Sequence, residues 1–121
     1  MKRIRLYLAY SFFFLALFYP GQFQAAELLM FSQSGCEYCE RWREEIGIVY
    51  PKTDEAKRAP YRELDIHGPE RRKLKNIKAV VFTPTFVVVE QGEEIGRIVG
   101  YISEDFFWGY LQKILEKLPK C

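Results

Sequence analysis

The sequence predicts an α/β domain, a small four-stranded mixed sheet flanked by helices on both faces. Three observations carry this. After residue 26, short apolar or alternating runs of the strand type exchange with segments whose apolar residues recur every three or four positions. Their order is strand, helix, strand, helix, strand, strand, helix, and a β-α-β unit followed by a hairpin and a covering helix closes into one mixed sheet. The chain has 121 residues, which is room for one small domain and no separate cofactor module.

Each element has its own signal. Leu28-Leu29-Met30-Phe31 is a continuous apolar run ended by Ser32-Gln33-Ser34-Gly35, as for a buried strand entering a tight loop. From Cys36 the period changes, with Cys39, Trp42, Ile46 and Val49 on one face of a helix and Glu40, Arg41, Arg43, Glu44 and Glu45 on the other. Pro51 and Pro60 bracket a polar connecting excursion, Lys52 to Ala59, in which Thr53 can cap one short helical turn. Tyr61 to Ile66 alternates apolar and polar residues and reads as the second strand, and His67-Gly68-Pro69 is its turn. Pro69 suits the first position of a helix running through Glu70, Leu74 and Ile77. Phe86 to Val89 is a β-branched run, Gln91-Gly92-Glu93 turns the chain, and Ile95 to Val99 returns. Ser103 caps the last helix, where Phe107, Leu111, Ile114 and Leu118 form the apolar stripe. Glu104 and Asp105 open it and Lys113 and Lys117 close it, which suits the helix dipole.

The first 26 residues are different in kind. Met1 to Arg5 is basic, Leu6 to Tyr19 is a nearly unbroken apolar run of 14 residues, and Pro20-Gly21 breaks it before Gln24-Ala25-Ala26. That is the order of a secretory signal peptide, too short to span hydrocarbon comfortably, so residues 1–26 are expected to be a signal peptide or an uncleaved anchor, and 27–121 the exported domain. The exported part is expected in an oxidising compartment, the periplasm. The whole chain has 18 basic and 16 acidic side chains, but the leader holds three of the bases and no acid. The remaining domain is nearly neutral and has no electrostatic footprint for nucleic acid.

Chemistry concentrates at Cys36 and Cys39, three positions apart where a helix follows a strand, the context in which C-x-x-C reads as a redox pair. A helix N-terminus stabilises a thiolate at Cys36, which can attack a disulfide, and Cys39, about one turn in, can attack the mixed disulfide and release the product. Other uses of the pair stay open. A structural disulfide would close a loop too short to remove much chain entropy. Zinc needs two further ligands, for which His67 and Cys121 are the remaining candidates, so no metal site is expected. Cu(I) or haem handling would suit a soft dithiol.

These features together resemble the thioredoxin superfamily over residues 27–121: the strand Leu28 to Phe31, Cys36-Glu37-Tyr38-Cys39 opening a helix, Thr83-Pro84 before the strand Phe86 to Val89, and Gly100-Tyr101 before the last helix. The resemblance implies a thioredoxin-like fold and a protein-disulfide oxidoreductase without a cofactor beyond its own Cys36-Cys39 disulfide. It also implies a cis bond at Pro84, with Thr83 offering backbone groups to an extended substrate chain. More narrowly, the leader, Tyr50-Pro51-Lys52-Thr53, Ala59-Pro60 and Thr83-Pro84-Thr85-Phe86 are similar to the periplasmic thioredoxin-like proteins that accompany bacterial sulfur-oxidation systems. That likeness implies a protein thiol, disulfide or persulfide substrate such as a sulfur-carrier protein. A membrane thiol relay would be the electron donor, since the domain cannot house a nicotinamide or flavin, and a monomer is expected.

The departures from the family bear on the chemistry. Gly35 replaces the usual Trp, Glu37-Tyr38 replaces Gly-Pro between the cysteines, and Met30 stands where the family carries a buried Asp. Solvent or Glu37 would then accept the proton of Cys39. An acid about 7 Å from the thiolate disfavours it by on the order of 1 kcal/mol at intermediate dielectric, which points to a reductant or isomerase and away from a strong oxidant. Two other classes fit the same pair: a thiol reductant for cytochrome c or copper-site assembly, and a non-catalytic interaction module. His67 is expected to be a solvated turn residue, Trp42 core, Arg71-Arg72-Lys73-Lys75 a solvated face, and Cys121 a free terminal thiol.

Overall fold

The computed structural model describes residues 26–119. The predicted leader lies outside them apart from Ala26, as does Cys121. The elements are β1 (Glu27–Ser32), α1 (Glu37–Trp42) continuing into a π-turn (Arg43–Gly47), a 3₁₀ turn (Tyr50–Lys52), α2 (Asp54–Arg58), β2 (Tyr61–Asp65), α3 (Pro69–Lys73), β3 (Thr85–Glu90), β4 (Glu93–Val99) and α4 (Glu104–Leu115). The sheet order is β2-β1-β3-β4, with β1 parallel to β2 and both other pairings antiparallel. This is the mixed four-stranded sheet expected from the sequence.

The continuous apolar run of β1 is explained by burial on both sides, since Leu28, Leu29, Met30 and Phe31 are all fully buried. Strand alternation sends Leu28, Met30, Phe86 and Val88 to the larger core, beneath α1 and α4. Leu29, Phe31, Val87 and Val89 face the smaller one, with Leu64, Ile77 and Leu74. At the centre of the larger core is Trp42, its ring 5.0 Å from Phe86, 5.1 Å from Tyr61 and 5.6 Å from Phe107 between centroids. Its Nε1 is buried without a hydrogen-bond partner. Ser103 caps α4 by accepting from the Phe106 N–H, and Phe107, Leu111, Ile114 and Leu118 are buried as their spacing predicts. Gly96 of β4 lies directly under Ile114: a Cβ there would come within 2.8 Å of that side chain, so the helix can rest on this strand only where it carries no side chain.

Two elements depart from the sequence reading. The stripe of α1 was expected to reach Val49, which is 41% exposed. The π-turn widens the coil by about one residue per turn, so after Trp42 and Ile46 the next buried position is Tyr50, whose hydroxyl donates to the Ala59 carbonyl at 2.6 Å. The helix after Pro69 was expected to run through Leu74 and Ile77. It stops at Lys73, and Leu74 is extended at φ −87°, ψ 103°. Like charges at Arg71 and Lys75, and at Arg72 and Lys75, would stack on one face of a longer helix. Instead the Arg71 guanidinium lies over the Phe31 ring at 5.8 Å and donates to the Leu74 and Lys78 carbonyls. The second face of the sheet is therefore covered by a single-turn helix and an irregular segment. The polar excursion holds α2, capped as expected by Thr53, which accepts from the Ala56 N–H at 3.2 Å.

Candidate functional site

The site lies where β1 ends. Beyond Ser32 the chain turns through Gly35, whose φ of +78° favours glycine, and Cys36 becomes the N-cap of α1. Cys36 and Cys39 are joined as a disulfide. The Cys39 N–H donates to Cys36 Sγ at 3.2 Å, so an otherwise unpaired donor of the first helical turn is aimed at that sulfur. Cys36 is partly exposed and Cys39 fully buried. Reduced, this arrangement gives one accessible sulfur next to a thiolate-stabilising N–H and one sheltered sulfur behind it.

The Thr83-Pro84 peptide bond is cis, as the resemblance implies. Thr83 is tied to the loop before the dithiol by Gln33 Nε2, which donates to its Oγ1 at 3.0 Å. The Pro84 carbonyl accepts from the Gly100 N–H at 2.7 Å. Thr83 and Pro84 thereby face Tyr38 across an open cavity of about 430 Å³, whose wall also includes Arg41, Tyr101 and Ile102. The structure thus brings the two cysteines, Tyr38, Thr83 and Pro84 to one end of the sheet. Glu37 is exposed between the cysteines.

Sequence reasoning missed Gln33, Arg41, Glu45 and Tyr101. Arg41 Nε donates to Glu45 at 2.9 Å, the Tyr101 hydroxyl donates to the same carboxylate, and the Arg41 guanidinium lies 5.7 Å from the Tyr101 ring centre. The Tyr101 and Arg41 bonds hold the Glu45 carboxyl below its ordinary range. Burial, then Glu45, pushes the Tyr101 phenol well above its own. This clasp fixes one wall of the cavity. The only hint of it in the sequence is the Gly-Tyr pair before the last helix.

Met30 is fully buried in the same core as Cys39. Its register partner on β2 is Glu63, but that carboxylate is occupied by Arg43, by the Ser32 hydroxyl at 2.7 Å and by the Tyr61 hydroxyl at 3.2 Å. Arg43 foremost holds its carboxyl below the usual range, so it is a poor proton acceptor for the dithiol. A depressed folded-state pKa adds stability above the unfolded value near 4.3 that is lost as pH falls through the folded one. Glu63→Gln should therefore cost about 1 kcal/mol or less at pH 7, since both partners are partly solvated. Chemical denaturation across pH 7 to 3 should show that difference closing on the acid side.

His67 is exposed in its turn, and Arg72, Lys73 and Lys75 are exposed as expected. Among the described residues, no group of three or more His, Cys, Asp or Glu side chains could hold a metal ion.

A thioredoxin fold with a helix-capping C-x-x-C disulfide opposite a cis-proline defines the class of thiol–disulfide oxidoreductases. Residues 24–115 match the thioredoxin-like domain family, and the chain belongs to it. Among solved structures it is similar to the periplasmic thioredoxin SoxS of Paracoccus pantotrophus, at 45% identity over 75% of this chain and 96% of that one, with a TM-score of 0.71. The likeness to the sulfur-oxidation-associated periplasmic type read from the sequence is thus borne out. A thioredoxin-fold protein of Helicobacter pylori follows at 25% identity, covering 77% of this chain and 70% of that one, TM-score 0.60. A thioredoxin of Thermus thermophilus, at 24% identity over 77% and 75% of the two chains and TM-score 0.59, shows the fold alone. No curated protein matches.

Proposed function

We propose that the protein is an exported reductant or isomerase of protein disulfides or persulfides, working in the periplasm. The observation that carries this is the asymmetry of the pair, an accessible Cys36 with the Cys39 N–H on its sulfur and a buried Cys39 behind it. The Cys36 thiolate attacks one sulfur of the substrate disulfide, the substrate's S–S bond breaks, and one substrate thiol leaves. The Cys39 thiolate then attacks Cys36 Sγ, the mixed disulfide breaks, and the second substrate thiol leaves; two electrons and two protons have passed to the substrate. On a persulfide the same two steps release hydrogen sulfide. Thr83 offers backbone groups to the substrate chain, Pro84 shapes the wall beside the dithiol, and Tyr38 and Glu37 tune access and charge. A membrane thiol relay returns the two electrons.

The similarity to SoxS and the apolar leader support the compartment, and make a cysteine-bearing sulfur-carrier protein a natural substrate. Equilibration of the dithiol with a glutathione buffer tests the direction. A potential clearly more negative than roughly −150 mV, together with reduction of insulin disulfides by the reduced protein, is the expected result. A potential near that of a strong oxidant, roughly −120 mV, would overturn the reductant reading.

A further inference from the structure

β4 is an edge strand, and its free side is open over a short window. The Gly100 N–H bonds inward to Pro84, so by antiparallel alternation the pairs Phe86/Ile98 and Val88/Gly96 also bond inward, and the backbone groups of Arg97 and Val99 point outward. Among the described residues neither has a backbone partner on that side. The preceding outward carbonyl, that of Ile95, is already taken by Lys117 Nζ at 3.0 Å, so pairing can use only Arg97 to Val99.

Over this window α4 runs antiparallel to β4. Ile114 sits on Gly96, while Phe106 and Phe107 line one groove with Val99 and Gly100 at the other end of the strand. On its edge-facing side the helix carries Phe106 and Tyr110, stacked with centroids 6.1 Å apart and half exposed at 52% and 53%. With Ile98, Val99 and Ile102 they border a groove of about 260 Å³. Gly109, next to them, has open space around it: a Cβ there would meet nothing within 4 Å. Among the described residues, no contact requires a residue so unfavourable in mid-helix at this position.

We propose that this face joins a second copy of the chain, β4 pairing antiparallel with β4 about a two-fold axis at Ile98. Arg97 of each copy then opposes Val99 of the other, and the outward groups of both satisfy one another. The axis passes close to Tyr110, because Ile98 lies two strand residues from Gly96 and Tyr110 about one helical turn from Ile114. The two α4 helices therefore run antiparallel, with Gly109 allowing close approach. The acidic first turn of one, Glu104 and Asp105, comes against Lys113 of the other. That acid-to-base gradient complements its own reverse, which selects a second copy over an unrelated strand. The contact is small and so weak, forming reversibly as concentration rises. It replaces the monomer expected from the sequence with a monomer–dimer equilibrium.

Sedimentation of the oxidised protein, expressed with its own leader and purified in its exported form, tests this between about 1 μM and 1 mM. A reversible dimer is expected. Tyr110→Lys, at an exposed site near the axis, should weaken it by roughly tenfold or more. Asp105→Lys should weaken it by about threefold, and adding Lys113→Glu should restore it. Thermal unfolding of each variant verifies that it is folded. A monomer throughout the range would overturn the proposal, and so would a dimer indifferent to Tyr110→Lys or one that the charge swap fails to restore.

Discussion

Cys39→Ala should convert the protein into a trap: Cys36 still attacks, but nothing displaces the captured partner. A Cys36-linked mixed disulfide should accumulate in the periplasm, separable by size and identified by mass, while multiple turnover falls by roughly 10³-fold or more as an intramolecular step is replaced by attack of an external thiol. Cys36→Ala should capture nothing, because the remaining sulfur is the fully buried one. The pair of variants separates an enzyme from an interaction module, in which both would behave like the parent. Capture by Cys36→Ala and not by Cys39→Ala would reverse the roles assigned to the two sulfurs.

Trp42→Ala should produce the largest loss of stability. The indole is fully enclosed by Phe86, Tyr61, Phe107 and Tyr50, which tie α1 to β3, β2 and α4. Removing it should cost about 3–5 kcal/mol, lowering the unfolding midpoint by more than about 12 °C in a domain of this size. Trp42→Phe should cost much less, since it retains most of the ring contacts and removes an indole N–H that is buried without a partner. Calorimetry with the disulfide intact measures both; an alanine variant within about 1 kcal/mol of the parent would mean that the cluster collapses around the gap.

What could be read in advance was what depends on neighbours in sequence. β1 was legible because four consecutive apolar residues leave no polar face. The dithiol was legible because its chemistry needs only two cysteines at the start of a helix. Thr83-Pro84 became legible through family resemblance alone, as nothing in its composition separates it from an ordinary strand entry. The clasp of Arg41, Glu45 and Tyr101 was not, because Glu45 and Tyr101 are 56 positions apart and meet only once β4 has returned the chain to the dithiol end. Gln33 and Thr83, 50 positions apart, likewise meet only in the folded chain, where the entry to β3 lies beside the end of β1. The two misjudged helices failed on local energetics that apolar spacing does not see: a widened turn changed the period after Trp42, and accumulated like charge ended α3 before its apolar residues were reached.

Met30 has a consequence for how the domain tolerates its own chemistry. A carboxyl group at that position would gain or lose charge in step with the sulfurs, and the interior of the sheet would have to accommodate it. A thioether does neither. Opening the disulfide therefore changes charge in this core at the buried Cys39 sulfur itself, with no carboxyl at position 30 to share or oppose it.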